Sequence, residues 1–242
     1  MKKALSLILA LVLCLSLCAC GGDGNKTTKP ESTAPETTAP ETTLTKEEMI
    51  ASAEKTNSAK ITSDTSENLV KAKQLYCDRV LEVTGFVLSI EEDHIKVGAD
   101  RYVGTTVIDV YLPVDDLVLL SNKQVVTVVG KTAETINERT KTVSGTDYTQ
   151  KYYEMTQAYL VKNTFDVTVT LDVNKYGGGT IKATASDCGG LELTPFKVPD
   201  GISTEDYTAD AVTILTLNGT IIYGDREYYI QDYKIANTEI KK

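Results

Sequence analysis

The sequence predicts a mainly β protein: two small five-stranded β-barrels in tandem, with a short N-terminal helix, preceded by a disordered tether. Three observations carry this prediction. From Val80 onward the apolar residues recur every second position, the spacing of strands with one buried face. Between Gly21 and Leu44 there is no apolar pattern at all. And short segments of residues 80–163 recur in the same order in residues 164–242.

The chain opens Met1-Lys2-Lys3, a short positive stretch, and continues as an apolar run from Ala4 to Leu17. That run is shorter than the roughly 20 residues needed to cross a bilayer, and with its charged start it reads as an export signal. Leu17-Cys18-Ala19-Cys20-Gly21-Gly22 then resembles a bacterial lipobox, with a large aliphatic residue three places before Cys20 and a small one just before it. The resemblance implies cleavage after Ala19 and a diacylglycerol on Cys20. The protein would then sit on the extracytoplasmic face of the cell membrane, held by two acyl chains, each buried methylene contributing about 0.8 kcal/mol. Cys14 and Cys18 would leave with the leader.

The tether follows. It contains the tandem pentapeptides Thr33-Ala34-Pro35-Glu36-Thr37 and Thr38-Ala39-Pro40-Glu41-Thr42. Such a segment buries too little apolar surface to offset its ordering entropy. At about 3.1 Å per residue in a polyproline conformation, its 24 residues reach roughly 75 Å.

Thr45-Lys46-Glu47-Glu48 matches a capping box and predicts a helix to about Lys55. Asp64, with Glu67 three residues later, opens a second predicted helix, read over 66–76, with Leu69, Ala72, Leu75 and Tyr76 on one face. Strands are then predicted over 80–90, with Gly85 marking a bulge or corner, and over 94–97, 107–112, 124–131 and 152–161. Pro113 to Leu117 would form a helical turn between the third and fourth strands, and the polar hairpin 132–151 would join the last two.

Five strands with a helical turn after the third point to an OB-type barrel. The run Val80-Leu81-Glu82-Val83-Thr84-Gly85, with Val125-Val126-Thr127-Val128-Val129-Gly130-Lys131, resembles the tRNA-anti-like OB family of bacterial secreted and lipoprotein domains over residues 64–163, although Cys77-Asp78-Arg79 replaces that family's glycine- and lysine-rich turn. The family name does not imply tRNA binding. In the second half, Leu215 to Ile221 aligns with Val126 to Thr132, and Gln231 to Asn237 aligns with Gln157 to Asn163. Ile181-Lys182 matches Ile95-Lys96, and Tyr223-Gly224-Asp225-Arg226 replaces the long hairpin by a tight turn. The expected organisation is a leader over 1–19, the lipidated cysteine and tether over 20–44, a helix plus an OB-like barrel over 45–163, and a second OB-like barrel over 164–242. A β-sandwich is the alternative for the last.

Composition narrows the function. The 25 basic residues less Lys2 and Lys3 leave 23 against 34 acids, a mature net charge near −11. Nucleic-acid binders concentrate the opposite charge. His94 is the single histidine and lies beside the acidic turn Glu91-Glu92-Asp93, which argues against triad catalysis and a conventional zinc site. Gly177-Gly178-Gly179 reads as a turn, and Asp115-Asp116 as solvated. No cofactor and no enzymatic activity are expected. Cys77 and Cys188 are expected as two independent thiols, since a bridge would require turns of different barrels to touch. By analogy with the ligand face of OB barrels, Arg101, Tyr102 and Tyr111 are the first candidate binding residues, with the hairpin 132–151 as a flexible wall. The expected function is a membrane-anchored binding or adaptor module of the cell envelope with an envelope protein as partner. A lipoprotein that captures a small molecule or oligosaccharide is the second reading, and an envelope hydrolase the third.

Overall fold

The computed structural model describes residues 44–99, 104–173, 179–188, 191–202 and 212–241. The leader, Cys20, most of the tether, Arg101, Tyr102 and the first two glycines of the 177–179 turn lie outside the described residues.

Helix α1 (Lys46–Ser52) has the predicted capping box: the Glu48 N–H donates to the Thr45 hydroxyl, and the Glu48 carboxylate accepts from the Thr45 N–H. It ends earlier than expected because Glu54–Asn57 forms strand β1, which pairs in parallel with β2 (Val80–Ile90). The helix expected over 66–76 is α3 (Leu69–Tyr76), and a further helix that was not expected, α2 (Ser58–Glu67), precedes it. The side chains of Asn57 and Asn68 each accept a backbone N–H three residues on, from Lys60 and Lys71, so each asparagine opens its own helix. Ala72 and Tyr76 are buried as expected, but Leu69, at the first position of α3, is 42% exposed.

The first module is a closed five-stranded barrel. β3 (His94–Gly98), β4 (Thr106–Tyr111), β5 (Val125–Thr132) and β7 (Thr146–Lys162) join β2 in the order β2-β3-β4-β7-β5, and β5 returns to β2. All of these pairs are antiparallel except β4 with β7, which run parallel over five residue pairs. Helix α4 (Val114–Leu117) lies between the third and fourth barrel strands, where the proline turn was expected. The interior is filled by Leu81, Ile95, Ile108, Val128, Tyr153 and Met155, all essentially without exposure. Gly85 sits where a Cβ would come within 2.5 Å of the Ser58 hydroxyl, so it admits the α2 N-terminus; the bulge in β2 falls later, between Val87 and Ser89.

The second half is not a closed five-stranded barrel among the described residues. β8 (Phe165–Val173), β9 (Gly179–Ala185), β10 (Leu191–Glu192), β11 (Val212–Gly224) and β12 (Glu227–Lys241) form one antiparallel sheet in the order β10-β9-β8-β11-β12. Nor do the described residues form a sandwich, which needs two facing sheets. The order is that of the first barrel cut between β4 and β7. At the cut, the five-pair parallel ladder is reduced to a single parallel bridge, Phe196 to Tyr228. There the Tyr228 N–H donates to the Pro195 carbonyl at 2.8 Å, and the Lys197 N–H donates to the Tyr228 carbonyl at 2.7 Å. β10 is only two residues long, and Pro195 brings no N–H to a ladder.

The two modules share a finer detail. Between β5 and β7, register shifts fall after Thr127 and around Gly130. Between β11 and β12 they fall after Thr216 and around Gly219. Thr127 faces Lys162, Val128 faces Leu160 and Val129 faces Tyr159; Thr216 faces Asn237, Leu217 faces Ile235 and Asn218 faces Lys234. These ladders equate Gln157 with Asp232, one residue from the equivalence with Gln231 read from the sequence. Both residues have φ of 49°, the mark of the bulge that each strand makes opposite its glycine. Likewise Val97, not Ile95, occupies the place of Ile181, two residues from the expected match of Ile95 with Ile181. The tight turn is as expected: Asp225 and Arg226, at φ 50° and 72°, join β11 to β12 as the two-residue loop of a hairpin.

Phe86 and Val125 of the first barrel pack into the core of the second module with Phe165, Leu217 and Tyr228. The Phe86 and Tyr228 ring centroids are 6.1 Å apart. Cys77 and Cys188 are free buried thiols in the two separate cores. Burial pushes both thiols up, that of Cys188 to about 12 with the Asp187 carboxylate adding to the effect.

Candidate functional site

Of the three residues expected to mark a ligand face, Tyr111 alone is described. It ends β4, half-buried, with its ring centroid 5.0 Å from that of His94. Burial, followed by the carboxylates of Glu154, Asp109 and Asp93, raises its hydroxyl pKa. The neighbouring charges are engaged with one another. His94 Nδ1 lies 2.7 Å from Asp93, Lys96 pairs with Glu91, and Arg139 grips Asp109 through both terminal nitrogens at 2.6 and 3.0 Å.

Within the hairpin expected as a flexible wall, Arg139 makes the contacts to the barrel. It lies on β6 (Asn137–Val143), which pairs with the first half of β7 to make a two-stranded ribbon. Its Nε donates to Gln150 at 2.8 Å, and its guanidinium sits 4.4 Å above the Tyr152 ring. The ribbon is thereby clamped to β4, where Asp109 is 3% exposed. Arg139→Met is expected to destabilise the protein by about 3 kcal/mol, because the Asp109 carboxylate loses its charged partner. Urea unfolding checks this, and an unchanged midpoint would remove the clamp.

A broad site lies on the second module. A groove of about 610 Å3 runs between the loop Lys197–Gly201 and the first half of β12. Strand alternation builds one wall. Tyr228 and Ile230 point into the core, so Glu227, Tyr229 and Gln231 face out. The bulge at Asp232 then turns its carboxylate and the Tyr233 ring to the same groove. The loop supplies the other wall, held by the bridge at Phe196 and by the Ile202 N–H, which donates to the Pro199 carbonyl at 2.9 Å. Its Gly201 comes so close that a Cβ would lie 2.8 Å from the Tyr233 hydroxyl, and a Cβ on Gly224 would lie 3.0 Å from the Tyr229 ring. The tyrosines are therefore backed by glycines. Asp200, Asp225, Glu227 and Asp232 line the groove against one lysine, Lys197. Carboxylates beside aromatic faces attract ammonium and guanidinium groups, through charge-assisted hydrogen bonds and the ring quadrupole.

A smaller cleft of about 290 Å3 at the module seam is lined by Lys55, Thr56, Glu82, Asp187 and Cys188. Glu82 Oε1 lies 3.1 Å from Lys55, while Thr56 Oγ1 and Glu82 Oε2 are buried without a hydrogen-bond partner. Among the described residues, no group of three or more His, Cys, Asp or Glu side chains is placed to hold a metal ion, and no helix is long and apolar enough to cross a membrane.

The sequence reading missed the groove. Its signal was the density of acids and tyrosines in Tyr223–Tyr233, but Asp200 joins them only through the bridge at Phe196. The described residues thus define a mainly β protein, a closed barrel and a second sheet, with an acidic, tyrosine-walled groove on the latter. No family model, no curated protein and no solved structure matches the chain.

Proposed function

We propose that this is an extracytoplasmic lipoprotein, anchored through Cys20, that serves as a non-catalytic docking body for a cationic segment of an envelope protein. The observation that carries the reading is the groove, with four carboxylates and two tyrosines in a chain of net charge −9. Acidity on this scale steers basic partners toward the surface and repels nucleic acid. The tether supports the same reading, since it is long enough to carry the folded part away from the membrane.

We further read both modules as OB-type. The strand order and the parallel β4–β7 pair support this for the first. For the second, support comes from the matching strand order, the parallel bridge at the opened seam and the two coincident bulges, which together favour a degenerate duplication. Capture of a small molecule or oligosaccharide is the second reading, favoured by the exposed tyrosine faces.

The test immobilises residues 45–242 and exposes them to solubilised envelope of the native host. The expected result is saturable retention of one protein, lost in the double variant Asp225→Lys, Asp232→Lys and weakened by salt. Retention that survives the charge reversal would sink the groove as the docking site. Retention of glycan alone would favour the second reading.

A further inference from the structure

The two modules treat one equivalent edge in opposite ways. In the first, the last strand β7 turns the backbone of Leu160 away from β5, and side chains block it: the Leu160 N–H donates to Asp116 at 2.9 Å, and Lys46 donates to the Leu160 carbonyl at 2.6 Å. The equivalent residue of β12 is Ile235. Among the described residues, β12 pairs beyond the bridge at Tyr228 with β11 alone, and from Lys234 to Lys241 every residue is exposed. Ile235 and Ile240, opposite the buried Leu217 and Thr213, lie on the core side of the sheet yet are 55% and 58% exposed. An open edge with apolar side chains is a template for another strand.

We propose that this edge pairs antiparallel with the same edge of a second copy of the chain. The register follows from charge. Residues opposite one another in an antiparallel pair share a face and interact. Setting Ile235 against Ile240 of the other copy would put Lys234 against Lys241, two like charges. The register two residues shorter sets Lys234 against Glu239, twice by symmetry, with Tyr233 against Ile240 and Ile235 against Thr238. Lys234 and Glu239 share the outer face, opposite Asn218 and Ile214, and the other four share the core face. The lysines thus oppose the longer register and favour the shorter one, in which each faces a carboxylate. The interface is one strand wide and below the size of a standard stable contact, so the dimer is weak in solution and strengthened where anchoring concentrates the chains.

The test is sedimentation equilibrium of the full lipidated chain in density-matched detergent at low salt. The wild type is expected to associate. Lys234→Glu should raise the dimer dissociation constant about tenfold, since two favourable cross-strand pairs become repulsive. The double variant Lys234→Glu, Glu239→Lys should restore it. Both positions are exposed, and unchanged thermal unfolding of the isolated variants confirms that folding is intact. A chain that stays monomeric overturns the proposal, even if a strand of another protein adds to the edge. A dimer indifferent to Lys234→Glu, or not rescued by the swap, also overturns it.

Discussion

Cys20→Ala is expected to move the protein from the membrane fraction to the soluble extracytoplasmic fraction and to abolish labelling by a radioactive or clickable fatty acid. The basis is local. In Leu17-Cys18-Ala19-Cys20, only Cys20 has a large aliphatic residue at three places before it and a small one immediately before. Without the thiol no thioether could form, and the acyl methylenes proposed to hold the protein, at about 0.8 kcal/mol each, would be lost together. Cys18→Ala serves as the control, since it leaves the pattern around Cys20 intact. If Cys20→Ala still fractionates with membranes, the anchor lies elsewhere and the lipoprotein reading fails.

Gly219→Ala is expected to destabilise the chain by about 3 kcal/mol, at the upper end of overpacking costs. A Cβ there would lie 2.6 Å from the Gln231 carbonyl oxygen and 2.9 Å from the Tyr233 Cα. Both are backbone atoms of β12, so no rotamer change relieves the clash, and the bulge at Asp232 must open. Because that bulge also presents Tyr233 to the groove, partner retention should fall as well. Gly130→Ala tests the equivalent place in the first module, where the Cβ meets Met155 Cγ at 2.6 Å and Ala158 Cβ at 2.8 Å. The methionine can yield but the Ala158 Cβ moves only with its backbone, so a loss between those at Gly219 and Gly145 is expected there. Gly145→Ala is the control: nothing lies within 4 Å, and only its φ of +80° opposes the change, at about 1 kcal/mol. Denaturant unfolding ranks the three. A loss at Gly219 no larger than at Gly145 would show that the close approach is absent in solution.

Much of the first module was legible. Alternation located β2, β3, β4 and β5 to within a residue or two, and Thr45 with Glu48 announced α1. Where the reading went astray, a local signal competed with one that was distant. β1 is four polar residues and exists only because the edge of β2 accepts it. Asn68 reads as an ordinary polar residue until its side chain is seen to cap α3. The ribbon of β6 carries little apolar alternation, and Arg139, 30 residues from Asp109, gives no sign of its partner. Of the candidate ligand face, only Tyr111 could be placed, and its neighbours are occupied with one another.

By itself the sequence determined what depends on near neighbours: the missing apolar pattern of residues 21–44, the mainly β class of fold, the charge, and the tight turn at Asp225-Arg226. These follow from periodicity, composition and turn chemistry, which act over a few residues. The tertiary structure alone decided whether each module closes. It also decided to one residue which strands are equivalent, where the acids converge, and which edge is left open. Pairing between strands is set by contacts distant in the chain, and a bulge shifts every later residue by one while leaving the alternation on either side intact. The sequences flanking Gly130 and Gly219 therefore look alike, yet five parallel pairs in the barrel and a single bridge at Phe196 in the second sheet separate a closed wall from an open groove and edge.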